Sequence, residues 1–138
     1  MTEKHQLLTD LQLEEKFRKK LISPRWLTHE AHLRLAYIHI KKYGLRRAIK
    51  NLTEQIARFD FEIGDSSKFN KTVTVASVRV VYEFIKKSDS ADFRTLLLKY
   101  PRLKSNFKGL LRAHYKIDIF NSVRAKQEYL KPDLLPFG

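Results

Sequence analysis

Residues 45–64 decide the fold, and they read LRRAIKNLTEQIARFDFEIG. Apolar side chains recur there at the intervals of three and four residues that place them on one face of an α-helix. That face carries Leu45, Ile49, Leu52, Ile56, Phe59 and Ile63. The opposite, charged stripe carries Arg47, Lys50, Glu54 and Arg58. The pattern predicts an amphipathic helix from Leu45 to about Ile63, which ends at Gly64.

The segment before it predicts another helix, which begins after an N-cap at Thr28 and ends at Gly44. Its charged side chains fall on one narrow stripe, formed by Glu30, Arg34 and Lys41. The other side carries three histidines among Leu and Ile, namely His29, His32 and His39. Because the charged stripe is narrow, we expect this helix to be mostly buried and His32 to point almost directly inward.

A first helix is predicted nearer the amino terminus, from Thr9 or Asp10 to Leu21, before a break at Pro24. Acidic residues crowd its beginning and cations its end, as the helix dipole favours. Its expected apolar face consists of Leu7, Leu11, Leu13, Phe17 and Leu21.

The segment from Thr72 to Tyr82 gives conflicting signals. It is rich in Thr, Val and Tyr, which favour a strand by local propensity. The spacing of its apolar residues fits a helix that continues to Lys87, and no second strand is available to pair with it. We therefore predict a helix here.

Three shorter helices complete the pattern. They are expected at Ala91–Tyr100 after a Ser88-Asp89-Ser90 cap, at Ser105–Tyr115 and at Ser122–Tyr129. Only four Gly and four Pro leave little room for the turns of an all-β chain. We predict an all-α fold, with residues 1–138 forming a single compact domain of about six or seven helices. Residues 1–8 are expected to be flexible, and residues 131–138 to form a short extended tail.

Composition narrows the classes of function. The chain has no cysteine, so it has no disulfide, no thiol nucleophile and no thiolate-bound metal. Its first residues resemble no signal peptide and no segment is apolar enough to span a membrane, so we expect a cytoplasmic protein. The net charge of +13 is the most unusual property, because such a charge attracts nucleic acid, anionic lipid and acidic proteins.

The histidines are the first candidates for a functional site, since the common phosphate-binding, zinc-binding and hydrolase motifs are absent. His29 and His32 lie one helical turn apart, a spacing at which two imidazoles can bind one metal ion. An inward-facing neutral histidine can also act as a general base or bind a ligand. The nearby carboxylate of Glu30 is expected to point away from them. Core histidines bonded to backbone or to one another are therefore the favoured interpretation.

Several short motifs, in order, resemble an uncharacterised bacterial all-α family. Residues 28–36, THEAHLRLA, resemble the family's Phe-x-His-x-x-His-(Leu/Val)-x-(Leu/Val)-Ala helix. Residues 68–74, KFNKTVT, stand where the family has Lys-Tyr-His-Glu-Thr-(Leu/Ile)-Thr. Residues 113–115, AHY, and 132–136, PDLLP, stand where the family has an Arg-His-Tyr-Ser stretch and a Pro-Asp-Leu-x-Pro tail. The resemblance covers about Ile22 to the end.

The resemblance implies an interior site, which the family forms from three histidines and a His-Glu pair. Carried over to this chain, the ligand-pocket candidates are His29, His32, Asn70 and His114. The family's His-Glu pair is Asn70 and Lys71 here, so a metal ligand is replaced by an amide and a carboxylate by a cation. We therefore expect no tightly bound transition metal and no cofactor. If the family is enzymatic, this member is a degenerate one.

A basic and aromatic stretch from Lys99 to Arg112 is the second candidate. Its nucleic-acid candidates are Lys99, Arg102, Lys104, Lys108 and Arg112, interleaved with Tyr100 and Phe107. Cations beside aromatic rings are typical of surfaces that follow phosphates and stack bases. Ordinary helix ends with solvated cations explain the same pattern, and no recognised nucleic-acid motif is present.

Three hypotheses of function follow. The leading one is a non-catalytic helical domain that binds a small-molecule ligand or an acidic partner protein, with an interior His-lined site. The second is a nucleic-acid-binding protein that uses its basic surface without regard to sequence. The third is a metal-dependent or acid-base enzyme, which the lack of clustered carboxylates disfavours.

Overall fold

The computed structural model describes residues 2–88 and 90–138. Over these residues the chain forms helices and no β-strand, so the predicted all-α class is confirmed. They contain eight α-helices, where six or seven were expected. None of these helices is long and apolar enough to cross a bilayer. Two compact units make up the chain, residues 1–69 and 70–138.

The N-terminal unit has three α-helices joined and flanked by short 3₁₀ turns. The helices are α1 (Asp10–Arg18), α2 (His29–Tyr43) and α3 (Leu45–Glu62). The 3₁₀ turns are Lys4–Leu7, Pro24–Trp26 and Ser66–Lys68. Thr9 caps α1 through a capping box, in which its side chain and that of Gln12 each accept the other's backbone N–H. Helix α1 ends at Arg18 rather than at the predicted Leu21.

Gly44 separates α2 from α3. Its φ of +86° is a conformation that costs glycine little, so the chain turns there without a longer loop. Thr28 accepts the N–H of Ala31 and is the N-cap of α2, as predicted. The predicted bounds of α2 are therefore confirmed, and α3 ends one residue before the predicted Ile63.

Only some residues of the predicted apolar faces are buried in the core of this unit. Leu13 and Phe17 of α1 are buried, and the Phe17 ring lies 5.4 Å from the ring of Phe59 in α3. The remaining predicted members of the α1 face, Leu7, Leu11 and Leu21, are exposed. Leu7 and Leu21 lie beyond the ends of the helix, where the helical spacing no longer applies.

The charged stripe predicted for α2 is wrong at two of its three positions. Glu30 and Arg34 are only 4% and 9% exposed, whereas Lys41 is exposed. The reason is the segment before α1, which was expected to be flexible. It forms the Lys4–Leu7 turn, and its buried His5 lies against both side chains.

The C-terminal unit has five α-helices. They are α4 (Lys71–Lys87), α5 (Phe93–Lys99), α6 (Arg102–Ser105), α7 (Phe107–Arg112) and α8 (Val123–Gln127). Helix α4 confirms the helical interpretation of the Val-rich segment, whose buried residues follow the helical spacing. Helix α8 begins at Val123, after the N-cap Ser122, one residue later than predicted, and ends two residues before the predicted Tyr129.

Two predicted caps in this unit are wrong. Helix α5 is capped by Asp92, which accepts the N–H of Thr95, and not by residues 88–90; Asp89 lies outside the described residues. The helix predicted from Ser105 to Tyr115 corresponds to α7, whose N-cap is Asn106 and not Ser105, because the Asn106 side chain accepts the N–H of Gly109. Helix α6 lies in the segment before it, where no helix was predicted.

The tail beyond α8 contains no helix or strand and is held by hydrogen bonds to α4 and to the loop after α7. Thr72 Oγ1 of α4 donates to the carbonyl of Glu128 at 2.7 Å and accepts the N–H of Leu130 at 3.0 Å. The Tyr115 hydroxyl donates to the Leu130 carbonyl at 2.7 Å. The side chain of Asp133 accepts the N–H of Lys116 at 2.8 Å.

Candidate functional site

The first two pocket candidates lie in the first turn of α2. His29 is exposed, and His32 is half-buried rather than fully inward-facing. His32 Nδ1 lies 2.9 Å from the carbonyl of Thr28, to which it donates, and burial of the ring lowers its pKa. The same carbonyl accepts the backbone N–H of His32. The ring therefore adds a second bond to a carbonyl that the helix already satisfies.

Asn70, the third candidate, caps α4. Its Oδ1 accepts the N–H of Val73 at 2.9 Å, and its Nδ2 donates to the carbonyl of Ile119 at 2.8 Å. Both ends of the amide are thus used inside the C-terminal unit. An N-cap role explains this amide without a ligand, since Asn is among the best N-cap residues.

His114, the fourth candidate, binds the tail. Its Nδ1 donates to the carbonyl of Leu135 at 2.7 Å, and its ring stacks on Phe137 with centroids 4.2 Å apart. The backbone carbonyl of His114 accepts the N–H of Leu134. His29 and His32 belong to one compact unit, and Asn70 and His114 to the other. The His-lined pocket stays a prediction.

A buried cluster that the sequence did not suggest joins the first turn of the chain to α2. His5 Nε2 lies 2.7 Å from Glu30 Oε2 and 3.3 Å from Glu3 Oε1. One donor atom from each of the three residues lies within 4.8 Å of the others, a grouping that could hold a metal ion. Gln6 also donates to Glu30 at 2.7 Å.

The neighbouring guanidinium of Arg34 decides the chemistry of this cluster. Its Nη1 donates to the His5 carbonyl at 2.7 Å and lies 3.3 Å from His5 Nδ1. Nδ1 therefore accepts a hydrogen bond, which leaves the ring proton on Nε2 for donation to Glu30. A metal on Nε2 would need the opposite tautomer, with a proton on Nδ1 facing a guanidinium. The residues present fit an internally bonded network better than a metal site.

A second buried cluster lies between α1 and α2. The carboxylate of Glu14 accepts a hydrogen bond from the Tyr43 hydroxyl and one from Lys42 Nζ at 2.9 Å. Burial raises the pKa of Glu14, but these bonds outweigh it and hold that pKa below its usual value. His39 is 1% exposed, and burial lowers its pKa. Within the described residues its Nε2 has no hydrogen-bond partner.

The nucleic-acid candidates are all exposed on α5, α6 and α7. They belong to a longer basic run, the cations between residues 93 and 117, where no Asp or Glu occurs. The basic run consists of Arg94, Lys99, Arg102, Lys104, Lys108, Arg112 and Lys116. Apart from Lys104, these cations form no ion pair with any carboxylate in the described part of the chain.

A cavity of about 390 Å³ lies beside the end of the basic run. It is lined by Leu111, Arg112, Tyr115, Lys116, Ile117, Asp118, Ile119, Phe120 and Leu134, all from the C-terminal unit. Sequence reasoning found Arg112 but missed the cavity. Its walls come from α7, the loop after it and the tail, and nothing in the sequence indicates that the tail returns to this loop.

Comparison with known proteins gives no match, whether to a protein-family model, to a curated protein or to a solved structure.

Proposed function

We propose that this chain is a non-catalytic binding protein whose C-terminal unit binds polyanions, chiefly nucleic acid, independently of base sequence. The observation that carries the proposal is the basic run, with seven exposed cations and no intervening acid. The resulting field attracts any polyanion and accelerates its encounter with the protein.

The lack of ion pairs at most of these cations supports a role in binding rather than a structural role. A cation already paired with a carboxylate must lose that partner before it can bind phosphate. Six of the seven form no such ion pair in the described residues, so phosphate contacts at these six would not have to break one. Each contact also releases a counterion from the nucleic acid, which is the main source of sequence-independent affinity.

The buried titratable groups support a non-catalytic protein. His5 bonds to both Glu30 and Arg34, and Glu14 accepts hydrogen bonds from Tyr43 and Lys42. An acid-base catalyst needs such groups within reach of a substrate. Groups that satisfy one another in the interior instead hold the fold together.

A salt series tests this function. The protein is titrated onto two duplexes of unrelated sequence and one single strand, and affinity is measured at several salt concentrations. We expect affinity for every ligand to fall log-linearly with salt, with equal slopes and affinities for the two duplexes. Binding to only one duplex near physiological salt, or no binding at low salt, would contradict the proposal.

A further inference from the structure

The cavity beside the basic run has an apolar floor and a polar rim. The floor consists of the buried lining residues Leu111 and Ile119, and the exposed Leu134 of the tail also lines the cavity. Its volume of about 390 Å³ lies in the range of ordinary small-ligand pockets, about 300–1,000 Å³. An apolar floor of this kind favours a flat or aliphatic group over water.

An aromatic ring in the wall is placed to stack. Phe120 is half-buried and lines the cavity, so part of its ring is accessible. Lys108 Nζ lies 5.2 Å from the centre of the ring, which brings a cation of the basic run to the same place. Aromatic rings beside cations bind single-stranded nucleic acid by stacking bases while the cations hold phosphates.

The rim continues the positive charge to the mouth of the cavity. Arg112 and Lys116 line it and are exposed. They follow Lys108 at intervals of four residues, and in α7 that interval places Lys108 and Arg112 on one face. A ligand with one flat group and several anionic groups would use the floor, the ring and the rim together.

Asp118 is the acid in the cavity wall, and its oxygens are already used. One accepts the N–H of Phe120 at 3.0 Å and the other the amide of Asn121 at 2.8 Å. The hydrogen bond from Asn121 lowers the pKa of Asp118, so the side chain stays charged. Phosphates are therefore expected at Arg112 and Lys116 and not at this end of the loop.

We infer that the cavity takes an unpaired nucleobase, stacked on Phe120, while Arg112 and Lys116 hold the adjoining phosphates. The inference rests on the proposed function and deepens it, because it assigns the chain to single-stranded nucleic acid. In a duplex each base is paired and stacked, and must be unstacked before it can enter a pocket. A single strand does not have this cost.

The first test changes the ligand and leaves the protein intact. A labelled oligothymidine of about twelve nucleotides is compared with a fully abasic strand of the same length and phosphate number at one salt concentration. We expect the abasic strand to bind between about 5-fold and 150-fold more weakly, the loss of one stacked base. Equal affinities would overturn the inference and leave the proposed function intact. Failure of both strands to bind would overturn both.

The second test changes the ring. Phe120→Leu keeps an apolar side chain and removes the stacking surface. We expect Phe120→Leu to reduce affinity for oligothymidine by about 5-fold to 150-fold, as the loss of the base does, and to leave affinity for the abasic strand unchanged. Phe61→Leu is the matched control, because Phe61 is 70% exposed in the other unit and should change neither affinity. Equal effects of the two variants would contradict the inference.

A third arm distinguishes an acidic protein from nucleic acid. Poly-glutamate carries repeated charge without flat groups, so we expect it to bind weakly and to be unaffected by Phe120→Leu. Poly-glutamate binding as tight as oligothymidine binding, and weakened by Phe120→Leu, would overturn the inference in favour of an acidic peptide. Thermal melts check that Phe120→Leu folds, and the abasic comparison tests the inference even if that variant does not fold.

Discussion

His5 Nε2 donates to Glu30 Oε2 across 2.7 Å, although 25 residues separate the two in the chain. This bond joins the first turn of the protein to α2. It also explains why a helix with an evident charged stripe is buried on that stripe. The N-terminal segment brings its own imidazole and backbone carbonyls, which satisfy Glu30 and Arg34.

The first prediction concerns Arg34. Its guanidinium donates to the carbonyls of His5 and Leu8 and to the carboxylate of Asp10. Arg34→Met would leave the carbonyls of His5 and Leu8 without this partner, so we expect it to lower the free energy of unfolding by about 2–4 kcal/mol. Lys41→Met, on the exposed part of the same helix, should change it by less than about 0.5 kcal/mol. Urea unfolding measures both, and similar values for the two would refute the network.

The second prediction concerns Tyr43 and Glu14. Tyr43→Phe removes a hydrogen bond to a buried carboxylate and should lower stability by about 1–2 kcal/mol at neutral pH. Because the folded pKa of Glu14 is depressed, its contribution is present above the unfolded value of 4.5 and is lost as pH falls through the folded value. Tyr43→Phe should raise the pKa of Glu14 in the folded protein, so acid unfolding should begin at a higher pH. An unchanged acid transition, followed by circular dichroism, would contradict this.

The third prediction concerns how His39 makes the stability of the protein depend on pH, above the pH at which carboxylates titrate. Burial lowers the folded pKa of His39 below the unfolded value of 6.5. The unfolded chain therefore binds the proton first, and stability falls as pH drops below about 6.5, by up to about 2 kcal/mol at pH of about 5. His39→Leu should remove the contribution of His39 to this loss, so the free energy of unfolding of the variant should depend less steeply on pH. Parallel slopes in urea unfolding of the two proteins would show that His39 does not titrate as stated.

The fourth prediction concerns the C-terminal unit. Thr72→Val keeps the shape of a fully buried side chain but leaves the Glu128 carbonyl and the Leu130 N–H without their partner. We expect a loss of about 2–4 kcal/mol. Thr74→Val is the control, because the carbonyl of Asn70 that Thr74 Oγ1 contacts also accepts a backbone N–H. That variant should lose less than about 1 kcal/mol, and a comparable loss for both would exclude the assigned role of Thr72.

Helix positions followed from the sequence where local signals were sufficient. The two ends of α2 were predicted correctly at Thr28 and Gly44. An N-cap and a positive φ depend mainly on the residue itself and its immediate neighbours, so the sequence reveals them. The helical spacing of buried valines in α4 correctly outweighed their strand propensity, because burial of one face stabilises a helix more than local propensity disfavours it.

The errors arise where distant segments meet. Glu30 and Arg34 were placed at the surface because nothing in α2 itself indicates that His5 covers them. The contacts of Asn70 and His114 could not be predicted for the same reason, because their amide and imidazole bond to Ile119 and to the tail. The cavity escaped prediction for the same reason, since Leu134 reaches it from the tail.

The central claim is that the basic run binds nucleic acid, and one comparison of variants tests it most directly. One triple variant carries Lys99→Gln, Arg102→Gln and Lys108→Gln. The other carries Lys41→Gln, Lys50→Gln and Arg58→Gln on exposed positions of α2 and α3, and so has the same net charge. Affinity for one single strand is measured for both across a salt series.

We predict that the first triple variant loses affinity on the order of 100-fold at about 0.1 M salt and that its log–log salt slope shrinks by about 2. The second should stay within about threefold of the unaltered protein, with an unchanged slope. Equal losses in the two variants would mean that net charge alone attracts the nucleic acid. That result would contradict the assignment of binding to the basic run.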